Sequence, residues 1–241
     1  MERFSRTESL IGKTALDRLK SSRVAVFGIG GVGGYAAETL VRSGVGAIDI
    51  IDNDKVAPSN INRQIYALDS TVGEYKTEVA TKRIKDINPD CKVTAYNLFF
   101  LPETADNIDF KNYDYVIDAV DTVTAKLCII EKAQKAGVPV ISVMGAGNKL
   151  DPTAFKVADI YGTKGCPLAR VIRAECKKRG IVRLKTVYSE EKGITPRGAV
   201  CGKDGKPERK IPPSSISFVP PVAGIIAASE VIKDLIKGEN G

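Results

Sequence analysis

The stretch R-V-A-V-F at residues 23–27 runs straight into Gly28-Ile-Gly30-Gly31-Val-Gly33, and the residues after it repeat apolar side chains at helical spacing. A strand that ends in glycines and opens a helix allows few folds. The spacing gives each glycine a role. Gly28 permits a tight turn, Gly30 lets a backbone approach an anion, and Gly33 lets helix and strand pack closely, with Gly31 a further candidate cofactor-binding residue of the same loop. The helix start offers unpaired N–H groups and the positive end of a dipole to that anion. Asp52 lies 19 positions beyond Gly33, at the end of a second strand, where a carboxylate accepts hydrogen bonds from ribose hydroxyls.

The pattern continues down the chain. Periodicity predicts helices over 34–43, 76–87 and 124–136 and strands over 47–51, 93–96, 113–120 and 138–143. Alternation of this kind gives βαβ units and a mainly parallel sheet, an α/β doubly wound fold. After Gly145-Ala-Gly147 the rhythm changes. Strands at 154–158 and 185–188, a basic helix at 167–179, a Gly- and Lys-rich loop at 193–213 and a last helix at 221–237 form a C-terminal α/β extension. We therefore divide the chain into a nucleotide-binding part, 1–150, and an extension of the same domain, 151–241.

Composition removes several chemistries. The 241 residues contain no His, which excludes Ser–His–Asp and Cys–His catalysis and imidazole metal sites within the chain. Five cysteines are widely spaced with no C-x-x-C pair, so neither a disulfide framework nor a thiolate zinc site is expected, and a reducing cytoplasm fits. The charged N-terminus does not read as a secretory signal, and the apolar run at 222–228 falls far short of the roughly 20 residues of a membrane span. The net charge of +7 is uneven: residues 160–215 alone carry +9. Such a segment suits a polyanion, and its scarcity of aromatics favours phosphate contact over base stacking.

The glycine loop alone does not separate NAD from ATP. The residues that follow do: Asp52-Asn-Asp54, Asn60-Ile-Asn62-Arg63-Gln64, and Lys76. Cleaving between the α- and β-phosphates develops charge on the leaving pyrophosphate, and Arg and Lys aimed at those oxygens stabilise it.

These motifs, together with Asp118-Ala-Val-Asp121, resemble the ThiF/MoeB/ubiquitin-activating-enzyme superfamily of carboxylate adenylators, a Rossmann-like fold. The resemblance implies that Asp52 binds ribose and that Asn60, Arg63 and Lys76 hold the phosphates of ATP, with Asp54 and Gln64 in the same motifs. It further implies that Asp121 holds Mg²⁺ beside them. Arg6, in Arg3-Phe-Ser-Arg6, would reach into the neighbouring subunit's site, making the protein a homodimer. Within the superfamily the chain is most similar to the tRNA threonylcarbamoyladenosine dehydratase group, through Ile87-Asn-Pro89-x-Cys91, Gly145-Ala-Gly147 and Asp151-Pro-Thr153. That likeness implies an ATP-dependent tRNA-modifying enzyme that activates the carboxylate of a modified adenosine beside the anticodon. The activated group then closes into a ring with loss of water. Some relatives work with a cysteine desulfurase system, and neither that partner nor a monovalent cation is decided by these residues.

The alternative is an adenylating enzyme for a ubiquitin-like sulfur carrier, weakened by the missing C-x-x-C pairs. A non-catalytic nucleotide-binding RNA module and an NAD-dependent reductase are rivals of other classes. Cys201, in a cationic loop, is the candidate reactive thiol, while Cys91, Cys128 and Cys176 read as packing residues.

Overall fold

The computed structural model describes residues 2–195 and 213–237. Its framework is a seven-stranded sheet: β1 (Arg23–Phe27), β2 (Ala47–Ile51), β3 (Lys92–Tyr96), β4 (Tyr115–Asp118), β5 (Val140–Val143), β6 (Phe155–Asp159) and β7 (Lys185–Ser189). Their order is β3-β2-β1-β4-β5-β7-β6, with every pair parallel except the antiparallel edge pair β6–β7. The central strands are short and almost wholly apolar because helices cover both faces of a parallel sheet.

The helices are α1 (Ser5–Ile11), α2 (Lys13–Ser21), α3 (Gly33–Arg42), α4 (Lys76–Ile87), α5 (Val123–Lys135), α6 (Pro167–Lys178) and α7 (Val219–Lys237). Side chains alternate across each strand, so β1 sends Val24 and Val26 to one core and Ala25 and Phe27 to the other. The first core joins α2, α3, α4 and α7. The second joins α5 and α6, with Phe27, Phe100 and Phe110 clustered at its centre.

The expected helix at 76–87 matches α4. The segment at 113–120 is shorter as a strand, because only residues 115–118 have ladder partners. Two helices precede the first strand where the sequence pattern predicts none. Residues 151–195 supply β6 and β7 to the same sheet, and α7 lies along α3. That approach depends on Gly224, where a Cβ would stand 2.1 Å from the carbonyl oxygen of Val32.

Candidate nucleotide site

The connections reverse direction between β1 and β4, and the loops that follow these strands part there. Doubly wound sheets bind ligands in that crevice. Here it is a cleft of about 900 Å³ at the C-terminal ends of β2, β1, β4 and β5. Gly28, Gly30, Gly31, Asp52, Asp54 and Asn60 line it, as do Arg63, Gln64, Lys76 and Asp121.

The loop geometry explains its glycines. Gly28 has φ 79°, and a Cβ at Gly33 would lie 1.8 Å from the Gly28 carbonyl oxygen. Gly33 is thus buried under the loop, where it lets α3 begin against the strand, and does not line the cleft.

Asp52 is anchored from two sides. Its Oδ2 accepts from the Ile29 N–H at 2.9 Å and its Oδ1 from the Asp54 N–H at 2.8 Å. Burial pushes its carboxyl above the ordinary range, against the pull of Lys76 and both amides. Lys76, on the first turn of α4, is buried and donates to Asp54 Oδ2 at 2.7 Å, with Asp52 Oδ1 3.9 Å away. Asp54 therefore orients the lysine. Arg63 donates from Nη1 to the Ser59 carbonyl and to Asn62 Oδ1, both at 2.8 Å. Those bonds fix the guanidinium and leave its other donors for a ligand. The side-chain oxygen of Asn60 accepts from the Ala57 N–H and secures the turn that presents Arg63. Gln64 is buried beneath Gly30, its Nε2 3.6 Å from where a Cβ would stand.

Asp121 is exposed at the cleft wall, its Oδ1 only weakly engaged by Thr122. An exposed carboxylate at the wall of this cleft suits Mg²⁺, which takes one or two carboxylates and completes its shell with phosphate and water. Among the described residues no cluster of three metal-ligating side chains occurs. Arg6 is exposed on α1 and is not brought into this chain's own cleft.

Cys91 and Cys176 are buried, and burial pushes each thiol up to about 11. Cys201 lies outside the described residues. Cys166, which no sequence motif marks, lines the cleft at the start of α6. The basic face of α6 is partly committed within the protein. Arg179 pairs with Glu131 and Glu175, Lys178 with Glu175, and Arg173 donates to Thr163. Arg170 and Lys177 are exposed without such partners among the described residues.

Two further lysines escape the sequence motifs. Lys126 is fully buried and donates to Asp118 Oδ2, Ser142 Oγ and the Val143 carbonyl, tying β4 to β5 behind the 119–122 loop. Its one signal in the sequence is a single cation inside an otherwise apolar run of α5. Lys149 lines the cleft directly after the second glycine cluster.

Fold and site together define a doubly wound α/β protein whose crevice gathers a glycine loop, a buried carboxylate and two cations held by neighbouring groups. The chain belongs to the ThiF family, whose model matches residues 4–240. It is 46% identical over 243 residues to a tRNA threonylcarbamoyladenosine dehydratase of Bacillus subtilis, spanning 98% of this chain and 96% of that protein. The Escherichia coli protein of the same name is 36% identical over 251 residues, spanning 98% and 94%. The crystal structure of the E. coli dehydratase in complex with ATP matches with a TM-score of 0.88 at 34% identity, covering 99% of this chain and 96% of that one.

Proposed function

We propose that this protein is an ATP-dependent tRNA threonylcarbamoyladenosine dehydratase. The observation that carries the reading is the placement of Arg63 and Lys76, both held by neighbouring groups, in one cleft with the glycine loop and Asp52. Relatives of that name, matched along almost their whole length, support it.

ATP lies along the glycine loop with its ribose on Asp52. The substrate carboxylate attacks the α-phosphorus, pyrophosphate leaves, and an acyl-adenylate forms. Arg63 and Lys76 stabilise the charge gathering on the departing oxygens. Mg²⁺, held through Asp121, would neutralise phosphate charge when bound. A nucleophile on the same substrate then displaces AMP, and its fixed position makes ring closure effectively unimolecular. No histidine is required, because AMP leaves without a proton donor.

The exposed Arg170 and Lys177 belong to the surface we assign to tRNA phosphates. The protein acts as a homodimer in which Arg6 completes the partner's site. Support comes from α1, which fully buries no side chain in its own chain, only Ile11 packing partly against the core, and exposes Leu10 one turn from Arg6. A cytoplasmic location follows from the tRNA substrate. Among the described residues no helix is long and apolar enough to cross a membrane.

The test is nucleoside mass spectrometry of tRNA carrying threonylcarbamoyladenosine, incubated with the protein and ATP. The modified nucleoside should lose one water as one pyrophosphate appears, and Arg63→Ala should slow this roughly a hundredfold. An unchanged nucleoside mass, or calorimetry in which NAD binds more tightly than ATP, would overturn the assignment.

A further inference from the structure

The cleft extends past the nucleotide residues. Beyond β5 its wall is built by Gly145, Gly147 and Lys149, and by Cys166, Pro167 and Leu168 at the start of α6. Lys149 is only 7% exposed, yet among the described residues its Nζ has one acceptor, the Glu191 carbonyl at 2.5 Å. The nearby carboxylates are committed elsewhere. That of Glu191 accepts from the backbone N–H groups of Leu150 and Asp151, at 2.9 and 3.1 Å. That of Asp151 accepts from the amide and hydroxyl of Thr153. Among the described residues no carboxylate pairs with this ammonium. A cation buried without a counter-charge is unfavourable unless an anion arrives to meet it.

The backbone beneath it is held firmly. Asn148, at φ 60°, donates its N–H to the Ser214 carbonyl and accepts from the Ser214 N–H on Oδ1. Its own carbonyl accepts from the Ile194 N–H at 2.8 Å. Lys149 is thus presented from a fixed turn.

The anion is not a nucleotide phosphate, because those are met by the glycine loop, Arg63 and Lys76. In the order β1-β4-β5, Lys149 follows a strand two places from the one that ends in the glycine loop, a distance of roughly 10 Å at the usual strand spacing. The start of α6 borders the same end of the cleft and adds helix N–H groups and dipole, which also favour negative charge. We infer that Lys149 binds the carboxylate of the acceptor, the group about to be adenylated. The inference rests on the adenylating function proposed above. The role is one of ground-state binding: the carboxylate loses its negative charge when it becomes an acyl phosphate, so the attraction is strongest before reaction. Such a contact shows in KM more than in kcat.

The test compares wild type, Lys149→Met and Lys149→Arg in pyrophosphate release, with tRNA carrying threonylcarbamoyladenosine or the same tRNA unmodified. Direct binding of each RNA and calorimetric ATP binding are measured alongside. Lys149→Met should raise KM for the modified tRNA at least about tenfold. It should bind both RNAs alike, while its kcat and ATP affinity stay within about twofold of wild type. Lys149→Arg should recover most of the loss. An unchanged KM in an active Lys149→Met protein would overturn the inference alone, and so would a loss of ATP affinity or of melting temperature that accounted for the defect. Wild type inert toward the modified tRNA would overturn the functional reading and the inference with it.

Discussion

Lys126 and Asp118 form an ion pair with no solvent contact, and Ser142 Oγ donates to the same carboxylate oxygen at 2.5 Å. Removing one partner leaves the other charge buried alone. Lys126→Met should therefore cost about 3–5 kcal/mol in urea denaturation. The double change Lys126→Met with Asp118→Asn should recover much of that. Equal stability of the single variant and wild type would show that the pair carries no such constraint. Arg63 and Lys76 differ from this pair in how plainly the sequence marks them. Those two stand in short motifs, Asn60-Ile-Asn62-Arg63-Gln64 and Gly73-Glu-Tyr-Lys76, which the chemistry of pyrophosphate release and the family resemblance together single out. Lys126 and Lys149 look like ordinary lysines until packing removes their water, and burial on that scale is a property of tertiary contacts rather than of local pattern.

At the level of elements, α3 and α4 are joined by one buried carboxylate. Glu38 on α3 accepts from Arg83 on α4 at 2.5 and 3.0 Å and from Arg42 at 2.8 Å. Burial pushes its carboxyl up, but the two guanidinium groups pull harder, so it titrates below the ordinary glutamate range. A depressed folded value stabilises fully above the unfolded value of about 4.3 and is lost as pH falls through the folded one. Glu38→Gln should then cost about 2 kcal/mol at pH 7, with the gap to wild type closing below about pH 4. A gap independent of pH would refute the ion-pair account. Strands β1 and β2 and helix α4 are legible in the sequence because apolar periodicity and the Asn88-Pro89 stop act locally. Helix α1 is not, since only Ile11 packs partly against the core of its own chain, too little to mark an apolar stripe. The sequence pattern starts α7 at residue 221, yet the helix begins at Val219, because Pro220 and Pro221 both fit within its first turn, where a missing N–H costs nothing.

For the whole molecule, the proposed assembly places Arg6 of one protomer with Asp121 of the other. Arg6→Ala and Asp121→Ala should each be inactive alone. Mixed in equal amounts after subunit exchange, they should recover roughly a quarter of wild-type activity, since half the dimers then carry one intact site of two. No recovery with exchange verified by mass spectrometry would exclude the shared site.

The close seating of α7 on α3 at Gly224 has a bearing on synthesis. The glycine loop and α3 leave the ribosome well before α7, the surface that braces them, and Pro220 lies against Gly31. A nascent chain paused before residue 219 already contains the glycine loop, Arg63 and Lys76 and still lacks the backing that holds the loop in shape. Nucleotide capture is thereby postponed until this helix has been made, so a product terminated before residue 219 should not sequester ATP.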